Sequence, residues 1–223
     1  MSLDKLRSRL RGRTELAASN IEVGGKTYCI FHPAVADALI DEPEFDRDER
    51  LPYWAELWPS AIAIARYLAG RPLSGRQVVE LGCGVGLPAV VALDRGAEVL
   101  ATDHYDAALD FVAHNARTNA GREPGTMLLD WHAPPVEAPG GFDLVLAADV
   151  LYERRNVPSL AALIPVLLAP EGEVLLADPR RKDTPVFVGA LADGGFRHSV
   201  EGVTVEQSGR EIEVLLHTLR SPG

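Results

Sequence analysis

The chain has 223 residues, 47% of them hydrophobic and 24% charged, which suits one well-cored globular domain with room for a small addition. Its 22 Lys and Arg against 32 Asp and Glu leave a formal net charge of −10, which argues against broad binding to a nucleic-acid phosphate backbone. No apolar run approaches the roughly 18 residues of a membrane span, the charged start MSLDKLRSRLRGRTEL lacks the apolar stretch of a secretory signal, and neither Cys29 and Cys83 nor the six scattered histidines show metal-ligand spacing. A cytoplasmic protein without a metal site, a Cys29–Cys83 disulfide or a membrane partner is therefore expected.

In chain order, Arg7, Arg9, Arg11 and Arg13 come first and read as a solvated or frayed arm, with docking to an acidic partner as the alternative. Residues 21–31, IEVGGKTYCIF, read as two short strands turning at Gly24-Gly25. Residues 41–50, DEPEFDRDER, read as a surface connection. In PYWAELWPSAIAIARYLAG, Ile62, Ala65, Leu68 and Ala69 recur at helical spacing, Pro59 suits the first turn, and Gly70 suits the stop. Trp54 and Trp58 are four apart and would share a face if that segment were helical; Trp58 is read as touching a ligand and Trp54 as structural or substrate-facing.

From residue 77 the pattern becomes regular. Strand QVVEL (77–81) leads through a glycine turn to a helix over 87–96, and strand EVLATD (98–103) to a helix over 107–120. TMLLDW (126–131), FDLVLAADVLY (142–152) and GEVLLADP (172–179) read as further strands, the last two followed by helices. The end reads as two antiparallel strands joined at Ser208-Gly209. Alternating strands and helices predict an α/β fold with a parallel sheet covered on both faces. Residues 1–50 form an N-terminal extension in this reading, and residues 51–223 the main domain.

Ligands of such sheets sit beyond the carboxyl ends of the strands. Glu80, Asp103, Asp130 and Asp149 are each read as ending a predicted strand. One acid alone could be a helix cap; four together favour a ligand crevice. In VVELGCGVGLP the spacing is E-x-G-x-G-x-G through Glu80, Gly82, Gly84 and Gly86. Leu87 stands where a dinucleotide fingerprint needs its third glycine, which turns the reading away from NAD. Asp103 suits the two hydroxyls of a ribose, and Asp130-Trp131 offers an acceptor and an indole for an adenine.

These segments resemble the class I, seven-stranded S-adenosylmethionine-dependent methyltransferases. PYWAELWPSA, ELGCGVGLPA and ADVLYE together resemble the protein lysine methyltransferase-like group. YWAELWPSAIAIARYL and ADPRR are most similar to the branch that methylates the electron transfer flavoprotein β subunit, whose bacterial members are often labelled predicted nicotinamide N-methylases. The resemblance implies a Rossmann-like, doubly wound seven-stranded sheet with one antiparallel C-terminal strand. It implies S-adenosyl-L-methionine as cofactor and methylation of a protein lysine. Position by position, it implies that Trp58 covers the methionine portion and that Glu80, Gly82, Cys83, Gly84 and Gly86 form the cradle. It further implies that Asp103 holds the ribose, that Asp130 and Trp131 frame the adenine, and that Ala148 lines the pocket. Asp149 and Tyr152 would be a D-x-x-Y pair at the substrate mouth, facing it together if the chain turns helically there. Cys83 stands where many relatives carry Ala, Ser or Thr.

Methyl transfer to nitrogen needs a lone pair, so a lysine ammonium, with a free pKa of about 10.4, must first lose its proton. A carboxylate nearby stabilises the ammonium. Asp149 is therefore expected to capture and orient the amine, while Tyr152, Trp54 and Trp58 desolvate it. The competing readings are N-methylation of a small amine or pyridine, a non-catalytic cofactor-binding module, and an NAD-dependent oxidoreductase.

Overall fold

The computed structural model describes residues 2–42, 51–135 and 139–222. Helix α1 (Leu3–Arg9) precedes a hairpin of β1 (Leu16–Val23) and β2 (Lys26–Pro33). Short 3-10 turns at Asp37–Leu39 and Tyr53–Ala55 precede α2 (Pro59–Ala69). Then come β3 (Gln77–Leu81), α3 (Leu87–Asp94), β4 (Glu98–Asp103), α4 (Asp106–Ala120) and β5 (Gly125–Leu128). The second half holds β6 (Phe142–Ala148), α5 (Asn156–Leu167), β7 (Leu168–Asp178), α6 (Thr184–Asp193), β8 (Arg197–Gln207) and β9 (Arg210–Arg220).

The strands from β3 onward form one seven-stranded sheet in the order β5-β4-β3-β6-β7-β9-β8. Pairing is parallel from β5 to β7, and β9 runs antiparallel between β7 and β8. This is the expected doubly wound α/β sheet. Strand side chains alternate between faces. Val78, Leu144, Leu146, Leu175 and Ala177 accordingly join the core under α2, α3 and α4. Val79, Val145, Ala147, Val174 and Leu176 join the core under α5 and α6. Burying each such Val or Leu stabilises the fold by about 1.5–3 kcal/mol. Connections from β3 run to β4 on one side, while β6 pairs on the other. The carboxyl ends of β3, β4 and β6 thus border the crevice where this topology places ligands.

Several expectations need correction. The hairpin is longer than residues 21–31, because pairing runs from Leu16↔Pro33 to Val23↔Lys26. Its turn is Gly24-Gly25, both at positive φ, as a two-residue turn between twisted strands requires. The arginine-rich start is not a frayed arm. Lys5 and Arg9 place their cationic groups 2.8 and 2.5 Å from the Asp110 carboxylate, and Arg9 also reaches Asp106 at 2.7 Å. Leu6 and Leu10 are fully buried beside α4, so α1 is anchored by packing as well as by charge. Gly70 ends α2 but with φ −84, so its freedom at positive φ is not used there. Most of the expected surface connection, residues 43–50, lies outside the described residues. No helix among the described residues is long and apolar enough to cross a membrane.

The hairpin is fastened by two asparagines of α4. Asn115 accepts from Phe31 N and donates to Phe31 O, at 2.8 and 3.0 Å. Asn119 does the same for Cys29 N and O, at 2.8 and 2.9 Å. The match is geometric: four residues of helix rise about 6 Å, and two residues of strand about 6.7 Å. Asn115 also donates to Val85 O at 2.8 Å, which ties the hairpin to the glycine turn after β3.

Candidate active site

The crevice is a cavity of about 410 Å³. Every residue named from the sequence as a site candidate lines it: Trp58, Glu80, Gly82, Cys83, Gly84, Gly86, Asp103, Asp130, Trp131, Ala148, Asp149 and Tyr152.

Its floor is the turn between β3 and α3. Gly86 is the N-cap of α3, with φ +85, and a Cβ there would lie 2.2 Å from Val112 Cγ2. The N-cap has no side chain, and Pro88 lacks an N–H. The open donor at Ala89 N is met instead from below by Glu80 Oε2 at 2.9 Å. Glu80 is buried and its carboxyl is pushed well above the usual range by burial. Thr102 Oγ1 donates to Glu80 O, and Cys83 N donates to Thr102 O, so the turn is bound across to β4. Cys83 is buried too, and burial raises its thiol well above the ordinary value, which keeps it an inert small side chain. Gly86→Ala combines forbidden backbone with overlap onto Val112. It should destabilise the protein by about 3–5 kcal/mol and lower Tm by roughly 10 °C in a thermal melt.

Asp103 closes β4 and is almost fully buried. Its Oδ2 accepts from Gly84 N at 2.9 Å and its Oδ1 from Tyr105 N at 3.0 Å. Burial lifts its pKa to about 6 against these bonds, which hold it down. A carboxylate accepts up to about four hydrogen bonds, so Asp103 retains capacity for a ligand diol. Asp130 lies two residues beyond β5, not within a strand; β5 ends at Leu128, and Asp130 Oδ1 accepts from His132 N at 2.9 Å. Trp131 packs across Gly82, where an added Cβ would come within 3.0 Å of the indole. Its buried Nε1 finds no acceptor among the described residues. An unpaired buried donor beside an acid at this end of the sheet fits a purine-bearing group.

At the other side of the cavity, Asp149 follows β6 in a left-handed conformation, φ +53, with its N–H donating to Ala177 O at 2.7 Å. This turn, not a helical one, brings Asp149 and Tyr152 to the same mouth. Buried Asn156 holds the turn by donating to Val150 O at 3.0 Å. Asp149 is itself buried and is not free: Arg181 Nε and Nη2 each donate to one of its oxygens at 2.8 Å. Burial raises the Asp149 pKa, Arg181 opposes the rise, and Asp178 adds to it. Arg181 is oriented in turn by its backbone N–H, which donates to Asp178 Oδ1 at 2.6 Å.

Of the aromatic residues, Trp54 takes the structural place expected of it, but the shared helical face does not form. Trp54 and Trp58 do not share a helical face, because the 3-10 turn stops at Ala55 and Trp58 is extended, with ψ 147. Trp54 is buried with its ring against Tyr105 and Phe111. Tyr53 takes the place at the mouth. Its ring meets Tyr152 edge-on at 5.0 Å and Trp58 at 5.9 Å, and its carbonyl accepts from Trp58 Nε1 at 2.8 Å. Tyr53 and Arg181 are the site residues the sequence reading missed. The run ADPRR was a signal for Arg181, but only as part of a resemblance.

A family model described as lysine methyltransferase matches residues 46–192. The chain is 30% identical over 138 residues to EEF1A lysine methyltransferase 3 of Mus musculus, covering 60% of this chain and 59% of that protein. It is 34% identical over 134 residues to the electron transfer flavoprotein beta subunit lysine methyltransferase of Danio rerio, covering 58% and 51%. The chain thus spans between about half and three-fifths of the length of these curated relatives. Among solved structures, the N-methyltransferase NodS of Bradyrhizobium japonicum, in complex with S-adenosyl-L-homocysteine, superposes with a TM-score of 0.58 at 19% identity. That match covers 82% of this chain and 96% of NodS.

Proposed function

The chain belongs to the lysine methyltransferase family, and from that premise we propose that it is an S-adenosylmethionine-dependent N-methyltransferase whose acceptor is a lysine side chain of a protein. The observation that carries this reading is one cavity with two unlike ends. One end offers a glycine turn, the Asp103 carboxylate and the unpaired Trp131 N–H, which suit a nucleoside. The other offers Asp149 ringed by Tyr53, Trp58 and Tyr152, which suits an amine.

When bound, S-adenosylmethionine supplies an electrophilic methyl carbon on a sulfonium whose departure leaves a neutral thioether. The residues of the chain then have three tasks. Asp103 accepts from the ribose hydroxyls, and Asp130 and Trp131 bracket the adenine. Glu80, Gly82, Cys83, Gly84, Gly86 and Ala148 shape the floor, and Trp58 would cover the methionine portion. Asp149 accepts a hydrogen bond from the amine and fixes its direction, and the aromatic rim excludes water. Aligning the two reactants in this way accounts for most of the acceleration such a transfer needs. The same rim attracts a methylated cationic product through its ring faces.

The test is incubation of the purified protein with methyl-labelled S-adenosylmethionine and, separately, the protein fraction and the small-molecule filtrate of a cell extract. Label released from protein as methyl-lysine is the expected result. Label confined to the filtrate assigns a small amine or pyridine instead. No transfer by a protein that still binds S-adenosylhomocysteine makes the chain a non-catalytic module.

A further inference from the structure

We propose that Arg181 is a positioning residue that keeps the acceptor amine neutral, by cancelling the charge of Asp149 before the amine arrives. The inference rests on the N-methyltransferase reading above. Its basis is the pairing of the two side chains: both carboxylate oxygens of Asp149 are engaged at 2.8 Å, side-on, by the guanidinium of a residue 32 positions away.

The chemistry of the acceptor explains why such a pair belongs at this mouth. A bare buried carboxylate would bind a lysine as its ammonium and raise its pKa by about 1–3 units. That is the form with no lone pair. Paired with Arg181, Asp149 is locally neutral, and the guanidinium lies close enough to oppose a second cation. The carboxylate still has unused lone pairs. It can therefore accept an N–H from a neutral amine without stabilising the ammonium, and the surplus proton leaves to solvent water. An arginine serves here because it stays charged at any working pH and locks both oxygens.

The surroundings leave this role to Arg181. From the turn before α2 come Tyr53, which lines the same cavity, and exposed Glu56. From the turn after β6 come Glu153 and Arg155, which pair with each other, and Tyr152. From the end of β7 comes Asp178, buried and 3.3 Å from His217 of β9, with His198 of β8 hydrogen-bonded to that imidazole at 2.9 Å. Among these described groups, Arg181 is the cation in contact with the Asp149 carboxylate.

The experiment compares wild type with Arg181→Met and Arg181→Lys. The Asp149 carboxyl is titrated by carbon-13 NMR in protein without cofactor, and S-adenosylhomocysteine affinity checks folding. The pH dependence of transfer is measured on the labelled-extract acceptor fraction. In Arg181→Met the Asp149 pKa rises, and the pH at which transfer reaches half its plateau moves up by about 1–3 units. Near neutrality kcat falls together with KM, because the ammonium is now bound too well, and the rate recovers at high pH. Arg181→Lys, which keeps the positive charge but not the lock on both oxygens, falls between wild type and Arg181→Met. An unmoved or acid-shifted profile, a rate lowered equally at all pH values, or an unchanged Asp149 titration overturns the proposal alone. Wild-type protein that transfers no label at any pH overturns the N-methyltransferase reading, and this proposal with it.

Discussion

Asp103→Ala should weaken binding of S-adenosylhomocysteine at least a hundredfold, read by titration calorimetry at pH 7.5. Two hydrogen bonds from a diol to a charged carboxylate contribute about 1.5–3 kcal/mol each, and every 1.4 kcal/mol is a factor of ten in Kd. The substitution also leaves Gly84 N and Tyr105 N without their acceptor, which loosens the turn as well as the ribose contact. The pH dependence has a definite sign. The pKa of Asp103 is lifted by burial to about 6, so the carboxyl is ionised above that pH and protonated below it. Wild-type affinity should be flat above pH 7 and decline as pH falls through 6. The contribution of Asp103 to folding runs oppositely: a raised carboxyl pKa favours folding at low pH, and that contribution is lost as pH rises through 6. A loss of affinity on acidification is therefore not accounted for by the contribution of Asp103 to folding. Unchanged affinity in Asp103→Ala would remove the ribose assignment.

Asp149→Ala should retain S-adenosylhomocysteine affinity within about threefold and lose at least a hundredfold in methyl transfer, since misplacing a reactant by about 1 Å already costs that much. The substitution removes the acceptor that directs the amine and strands the Arg181 cation at the mouth. A positive charge without its partner repels an ammonium, so KM should rise as kcat falls. The pattern is opposite to that of Arg181→Met, where KM falls. The two variants thus separate loss of the acceptor from loss of its counter-charge. Full turnover in Asp149→Ala would take this residue out of the reaction.

What could be seen in the sequence was what is encoded locally. The strands betray themselves by apolar runs such as DLVLAA, and the floor by glycines whose spacing a tight turn demands. Asp103 and Asp149 stand where strands stop, so topology alone placed them in the crevice. Arg181 could not be found this way. It adjoins Arg180, and nothing in the pair RR says that one reaches Glu213 at the surface while the other turns inward to Asp149. That division is made by the left-handed backbone of Arg180, φ +64, and by a partner in a different strand–helix unit. Tyr53 was hidden for a similar reason. Trp54 and Trp58 suggested a shared helical face, but the short 3-10 turn stops at Ala55 and leaves Tyr53 exposed at the mouth while Trp54 is buried. The arginine-rich start was misread because its carboxylate partners, Asp106 and Asp110, lie about 100 residues away.

The asparagine ladder on α4 bears on how this protein meets other chains. A strand with open backbone groups is a template on which another chain can continue a sheet. On the α4 side of β2, Cys29 and Phe31 present their N–H and C=O to Asn119 and Asn115. The amides imitate a neighbouring strand and so end the pairing there. This edge of the hairpin, at the middle of β2, is thereby closed by two polar side chains. Replacing both with leucine would preserve helix propensity yet leave the N–H and C=O groups of Cys29 and Phe31 unpaired beneath α4, which should appear as a lowered Tm.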